Sequence, residues 1–159
     1  MRHGIKHCLA AGLIAALAAS TWAETLHKLP LQIHKVTAQQ GHVLLALYAA
    51  KDGASWNDKP IKELAIAVEG AINKQLQYTL TALPEGRYAI RLFQDENNNQ
   101  QIDMADNGFP LEAFAFSGQS NTVGIPRLEQ AIFTLPLAEP PLILTLKHPQ
   151  AGNKVGKNP

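Results

Sequence analysis

Apolar and polar residues alternate with a period of two along several short segments of this 159-residue chain. Alternate residues of a strand point to opposite faces, so this period constrains the fold more than any other feature of the sequence. In residues 75–81, Leu76, Tyr78 and Leu80 share one face, and Gln75, Gln77, Thr79 and Thr81 the other. In residues 87–93, Tyr88, Ile90 and Leu92 are in phase, with Arg87 and Arg91 opposite. Leu29, Leu31 and Ile33 repeat the pattern, as do Ala131, Phe133 and Leu135, and then Leu142, Leu144 and Leu146.

Residues 43–48 are apolar on both faces, which suits a central strand. Residues 61–68 fit one helical face through Ile61, Leu64, Ala65 and Val68, and a strand through Leu64, Ile66 and Val68. The strand is preferred, because residues 69–74 then turn into the next one. Phe114 and Phe116, set among alanines, suggest one more short strand. The expectation is an all-β chain: an antiparallel β-sandwich of about seven strands, immunoglobulin- or transthyretin-like. The prolines fall at predicted strand edges or in loops, where a missing N–H is harmless. Leu83-Pro84-Glu85-Gly86 reads as a turn.

The first 23 residues read differently. Arg2 and Lys6 precede twelve residues, 8–19, that are all apolar or Gly. That run is too short for a membrane span but fits the apolar region of a secretory signal peptide. Cleavage is expected after Ala23, with Ser20 as the fallback. Cys8, the one cysteine, precedes the apolar run and so is not placed as a lipidation site. The chain as a whole carries 14 basic and 13 acidic residues. Cleavage removes Arg2 and Lys6 along with the cysteine and leaves 136 residues with 12 basic and 13 acidic groups, a net charge of −1. Nucleic acid is a poor match for such a balance, because phosphate binding needs a clustered basic excess. The domain limits expected are 1–23 for the signal peptide, 24–148 for the sandwich and 149–159 for a flexible tail. The location expected is the periplasm or the extracellular medium.

Residues 95–106 are acidic and rich in asparagine. With Asp95 as position 1, oxygen-bearing side chains fall at positions 1, 3, 5, 9 and 12, and Ile102 sits at 8. This is the register of a calcium loop, in which alternate residues of a tight curl point at one ion. Asp95, Asn97, Asn99, Asp103 and Asp106 would supply side-chain oxygens, and Gln101 its backbone carbonyl. Ile102 would turn inward and pin the loop to the core. Position 6, usually Gly, is Gln100, and position 12 is Asp, which is shorter than the usual Glu. The alternative is an ordinary polar connection, since Asn, Asp and Gln favour turns without any metal.

Leu83-Pro84-Glu85-Gly86-Arg87-Tyr88-Ala89-Ile90 resembles an L-P-x-G-x-Y-A-I strand opening. The loop from Asp95 to Asp103 resembles D-E-N-x-N-G-x-L-D, and Asn107-Gly108-Phe109-Pro110-Leu111-Glu112 and Phe114-Ala115-Phe116-Ser117 resemble the G-I-P-x-E and G-F-S segments that follow it. Together these are similar to the secreted bacterial proteins of domain-of-unknown-function family 2141. Gln100 and Ala115 depart from its usual glycines. The resemblance implies a signal peptide and a small β-sandwich, and it supplies no catalytic residues.

Other constellations are thinner. His34 and His42 flank a polar turn and would face each other across a tight hairpin, a start for a Zn²⁺ or Cu²⁺ site without an identifiable third ligand. Asp95 and Glu112 are the carboxylate pair that a periplasmic hydrolase would use. Ser117 and Ser120 lack the spacing of a nucleophile elbow or triad. Trp56 would either stack on a sugar or fold back as a plug over the sandwich edge. The sequence thus points to an exported, non-enzymatic module, with Ca²⁺ as its cofactor, that binds a protein or glycan of the cell envelope.

Overall fold

A computed structural model describes residues 24–37, 40–106, 108–118 and 125–148. The expected signal peptide, its cleavage site and the expected tail lie outside these residues. Among the described residues no helix is long and apolar enough to cross a membrane.

The described residues form eight strands: β1 (Leu26–His34), β2 (His42–Ala49), β3 (Lys62–Ala67), β4 (Gln75–Pro84), β5 (Gly86–Asp95), β6 (Phe114–Phe116), β7 (Ile132–Leu135) and β8 (Leu142–Thr145). One sheet has the order β4-β1-β8, and the other β3-β2-β5-β6, with β7 also pairing β5. The fold is therefore all-β and two-layered, as the alternation requires. The segment at 61–68 is a strand that closes in a short 3-10 turn, Val68–Gly70. All pairings are antiparallel except β1 with β8, which is parallel because the chain returns to the first sheet from the same end.

The core lies between the sheets. Leu29, Leu31 and Ile33 of β1 and Leu76 and Leu80 of β4 pack into one buried cluster with Val43, Leu45 and Leu47 of β2 and Ile90 and Leu92 of β5. Each such side chain contributes about 1.5–3 kcal/mol on leaving water. Pro30 precedes the stretch of β1 that pairs with β8, which starts at Leu31. In β4 the phase shifts opposite His27 and Leu29, and Ala82 takes a φ of +58° there. That bulge turns Leu83 back into the core.

The turn at residues 83–86 joins two sheets rather than two paired strands. The Tyr88 hydroxyl donates to the Pro84 carbonyl at 2.9 Å, four residues upstream, and so closes the corner. The Leu-Pro-x-Gly-x-Tyr spacing is thus a tyrosine corner, a device of sandwich folds.

The hairpin that would set His34 opposite His42 does not form. β1 and β2 belong to different sheets, so His34 lies opposite Gln75 and Thr145, and His42 opposite Ala67 and Asp95. Among the described residues no three His, Cys, Asp or Glu side chains are grouped to hold a metal.

Candidate functional site

The outer face of the second sheet carries the features of a site. In an antiparallel sandwich this face is ordinarily solvated and polar. Here register brings Leu44, Phe93 and Phe114 into one row across β2, β5 and β6, and Ala46, Arg91 and Phe116 into the next. These residues lie on the side opposite the core.

One end of the face is capped. Trp56, from the connection between β2 and β3, folds back over the sheet as a plug. Its ring sits 5.2 Å from those of Tyr48 and Phe116, and its indole N–H donates to the Pro126 carbonyl at 2.7 Å. Tyr48, Ala50, Ala89, Leu128 and Ala131 form a small second core beneath it. The Tyr48 hydroxyl is buried with no hydrogen-bond partner among the described residues, and burial holds its pKa above the ordinary value, although the Arg91 cation beside it pulls the other way.

The other end is walled by the asparagine-rich loop. Asp95 ends β5, is 1% exposed, and accepts the Asn99 N–H at 3.2 Å and the Gln100 N–H at 2.9 Å. Asn97 and Asn99 accept the N–H groups of Asn99 and Gln101 at 3.1 and 2.8 Å. Their amide groups donate to the two oxygens of Asp103 at 2.7 and 3.0 Å. Gln100 takes a φ of +62°, the left-handed conformation in which a glycine is usual, at a cost of about 1–2 kcal/mol. Its bond to Asp95 offsets part of that cost. Asn98, at φ +60°, hydrogen-bonds the His42 imidazole at 2.9 Å. Gly41 is required beside this loop, because a Cβ there would lie 2.2 Å from the Asp95 carbonyl oxygen.

Glu112 closes the loop from outside the predicted register. Its two carboxylate oxygens accept the N–H groups of Glu96 and Asp103 at 3.2 and 3.1 Å. Burial is the main cause of its raised pKa; the two N–H donors oppose the shift, and the charges of Asp103 and Asp95 add to it. Buried Gln94 ties the loop base to the exit of β1, accepting the Thr37 N–H at 3.2 Å and donating to Glu96 at 3.1 Å.

Asp95, Asn97, Asn99 and Asp103 are thus brought together. Asp106 is exposed and makes no side-chain hydrogen bond among the described residues, and Gln101 is exposed. Ile102, expected in the core, is 37% exposed and lies over the outer face, because Asp95 and Glu112 already anchor the loop. The oxygens of Asp95 and Glu112 are both committed to backbone N–H groups, and neither residue lines a hollow of the outer face.

Between plug and loop lie two adjoining hollows of about 700 and 670 Å³, which share Arg91, Phe93 and Ile102. Trp56, Met104, Phe114, Phe116 and Ile125 line the first, and Leu44, Ala46, Ala65 and Glu63 the second. Volumes of this order suit a small-molecule ligand. Arg91 stands in the shared floor. Its guanidinium carbon is 5.2 Å from the Tyr48 ring centroid, and one N–H donates to the Trp56 carbonyl at 3.3 Å.

The sequence reading missed this hollow. The available signal was β2, apolar on both faces, next to Phe93, Phe114 and Phe116. A strand with two apolar faces needs cover on both.

The pattern of a bacterial family described as "Uncharacterized protein conserved in bacteria (DUF2141)" matches residues 31–140, more than half of the chain. The chain belongs to this family. The match spans the loop, Glu112, Trp56 and Arg91, so the whole candidate site lies within the family's shared region. No curated protein and no solved structure matches the chain.

Proposed function

We propose that the protein is an exported, non-enzymatic β-sandwich module that binds a component of the cell envelope in the outer-face hollow. The observation that carries this reading is the hollow itself. It is concave, apolar and roofed at both ends, on a sheet face that would otherwise be polar. Export rests on the basic start and the twelve-residue apolar run before Ala23. The absence of a catalytic role rests on Asp95 and Glu112, whose oxygens hold backbone rather than face the hollow.

An uncharged apolar dye such as Nile red tests the site. Its emission should rise with the full chain. That rise should be lost in Phe114→Asp, which places a charge on the half-buried floor, when it is compared with the parent at a temperature where both are fully folded. No enhancement with the parent, or an equal one with Phe114→Asp, overturns the reading.

Calcium is part of the same proposal, as a brace for the wall loop. What supports this is the curl itself: its sixth position, Gln100, already has the left-handed conformation a calcium loop needs, and it carries the carboxylates of Asp95 and Asp103, although Asn97 and Asn99 turn their amide N–H groups rather than their oxygens toward Asp103. Bound Ca²⁺ would neutralise the mutual repulsion of these carboxylates. Extracellular loops of this kind bind at roughly 10⁻⁴–10⁻³ M. Several millimolar Ca²⁺ should therefore add about 1–2 kcal/mol to stability by mass action. Melting curves in EDTA and in Ca²⁺ check this: a rise of several degrees, abolished in Asp103→Ala, is expected. Coincident curves would remove calcium and leave the hollow untouched.

A further inference from the structure

We infer that the ligand of the hollow is a single-chain amphiphile with an anionic head, its acyl chain lying on the aromatic floor and its carboxylate or phosphate bound by Arg91. This rests on the hollow being a binding site and names what fills it.

The argument starts from Arg91. Arg91 is exposed to solvent at the floor of the hollow, between Phe116 on one side and Ala46 and Glu63 on the other. Neither Arg91 nor Arg127, which lines the same hollow, has a carboxylate within ion-pair distance among the described residues. The guanidinium is nonetheless fixed in place, stacked over Tyr48 and held by the Trp56 carbonyl. One bond to a carbonyl leaves most of its five N–H donors for a planar, bidentate acceptor. A carboxylate or phosphate has that shape.

The rest of the first hollow is mainly apolar. Phe93, Phe114 and Phe116 form the floor, and Ile102, Met104 and Ile125 rim it, at 37, 46 and 62% exposure. Exposed aliphatic side chains grouped at the lip of a concavity are a cost to a soluble domain unless something covers them. The lining also holds Ser55 and Asn57 and, in the second hollow, Gln100, Gln101 and Glu63, but the aromatic rings of the floor offer a glycan no hydroxyl or amide partner. An acyl chain needs none, and the second hollow adjoins the first at Phe93 and Ile102. Both sources of the head group share this chemistry, and the experiment separates them.

The full chain with Trp22→Phe leaves Trp56 as the one tryptophan and places the reporter in the wall of the hollow. Dodecanoate, dodecyl phosphate and uncharged dodecanol are titrated below their critical concentrations, with Trp56 emission and calorimetry as readouts. The expected result is saturable binding of at least one anionic chain. Arg91→Gln should weaken it about tenfold, Arg91→Lys, which keeps the charge but not the bidentate fork, should restore only part of it, and dodecanol affinity should be equal in all three proteins. Dodecanoate alone, or dodecyl phosphate alone, identifies the head group. Binding of dodecanol as tight as that of the anions, with no effect of Arg91→Gln, overturns the anionic head while keeping the hollow as a site. No change in Trp56 emission with any chain overturns both. Arg91→Gln also removes a contact with Tyr48, so Arg127→Gln, away from that ring, is run in parallel. A smaller loss for the anions and none for dodecanol is expected there.

Discussion

The two faces of the second sheet are made by the same strands and are both apolar, yet they do different work. Toward the first sheet, Val43, Leu45, Leu47, Ile90 and Leu92 are at most 2% exposed and filled against β1 and β4. Away from it, Leu44, Ala46, Phe93 and Phe114 are only half-buried, under a Trp plug at one end and a hydrogen-bonded loop at the other. Alternation therefore specifies that a face is apolar, and what covers it is decided elsewhere in the chain. A face packed by a second sheet becomes core. A face capped only at its ends becomes a hollow.

Substitutions that separate stability from binding test this contrast. The largest effect belongs to the inner face. Ile90→Ala should cost about 2–5 kcal/mol, through lost transfer energy and the cavity left behind. Chemical denaturation measures it, and the surviving folded fraction should still bind at the outer face. An inner-face cost below about 1 kcal/mol would mean that the two sheets are not packed as a core.

Next is the loop anchor. Glu112→Ala strips the acceptor from two N–H groups sixteen and nine residues away in sequence. Leaving partly buried donors unpaired costs about 1–3 kcal/mol. Because this loop walls the hollow, Nile red enhancement should fall in the same variant. A stability loss without a binding loss would uncouple wall from site.

Phe93→Ala, on the outer face of the same strand as Ile90, should cost less, about 1–2 kcal/mol, since a half-buried ring loses only part of its transfer energy. It should nevertheless cause the larger loss of affinity, because Phe93 belongs to both hollows. Equal ligand losses in Ile90→Ala and Phe93→Ala at matched folded fractions would break the distinction between the faces.

How much of this was legible in the sequence follows from where each feature gets its information. The strands carry it locally: Leu76, Tyr78 and Leu80 against Gln75, Gln77 and Thr79 need no partner to be read. The polar register of the loop likewise lies in twelve consecutive residues: Asp95 closes on the Asn99 and Gln100 N–H groups and Asn97 and Asn99 on Asp103, while Gln101 and Asp106 stay exposed. The roles of Glu112, Trp56 and Arg91 depend on distant contacts. Glu112 meets the loop from sixteen residues past Glu96, and Trp56 reaches Pro126 seventy residues on. Their connections have no periodicity to follow. Arg91 looked like a residue on a solvated face, because the sequence does not say that β6 sets Phe116 beside it. The hairpin expected between His34 and His42 failed for a related reason. A short polar turn can join two paired strands or pass from one sheet to another, and only the pairing partners decide.

The smallest expected effect concerns pH and again contrasts the faces, since the inner core holds no carboxyl group among the described residues. Burial raises the Glu112 pKa above the ordinary 4.5. A carboxyl whose pKa is higher in the folded chain than in the unfolded one binds protons more tightly when folded. Its contribution is therefore fully present below pH 4.5 and is lost as pH rises through the raised folded value. Glu112→Gln cannot ionise and should not show that loss. Its amide also has one acceptor oxygen in place of two, so its stability is offset downward at every pH. The quantity to measure is the difference between parent and Glu112→Gln from pH 4 to 7, by urea denaturation. That difference should shift against the parent as pH increases and level off toward neutrality. A constant difference over the whole range would mean that Glu112 titrates as it does in water, and that the loop it anchors is open to solvent rather than closed over the hollow.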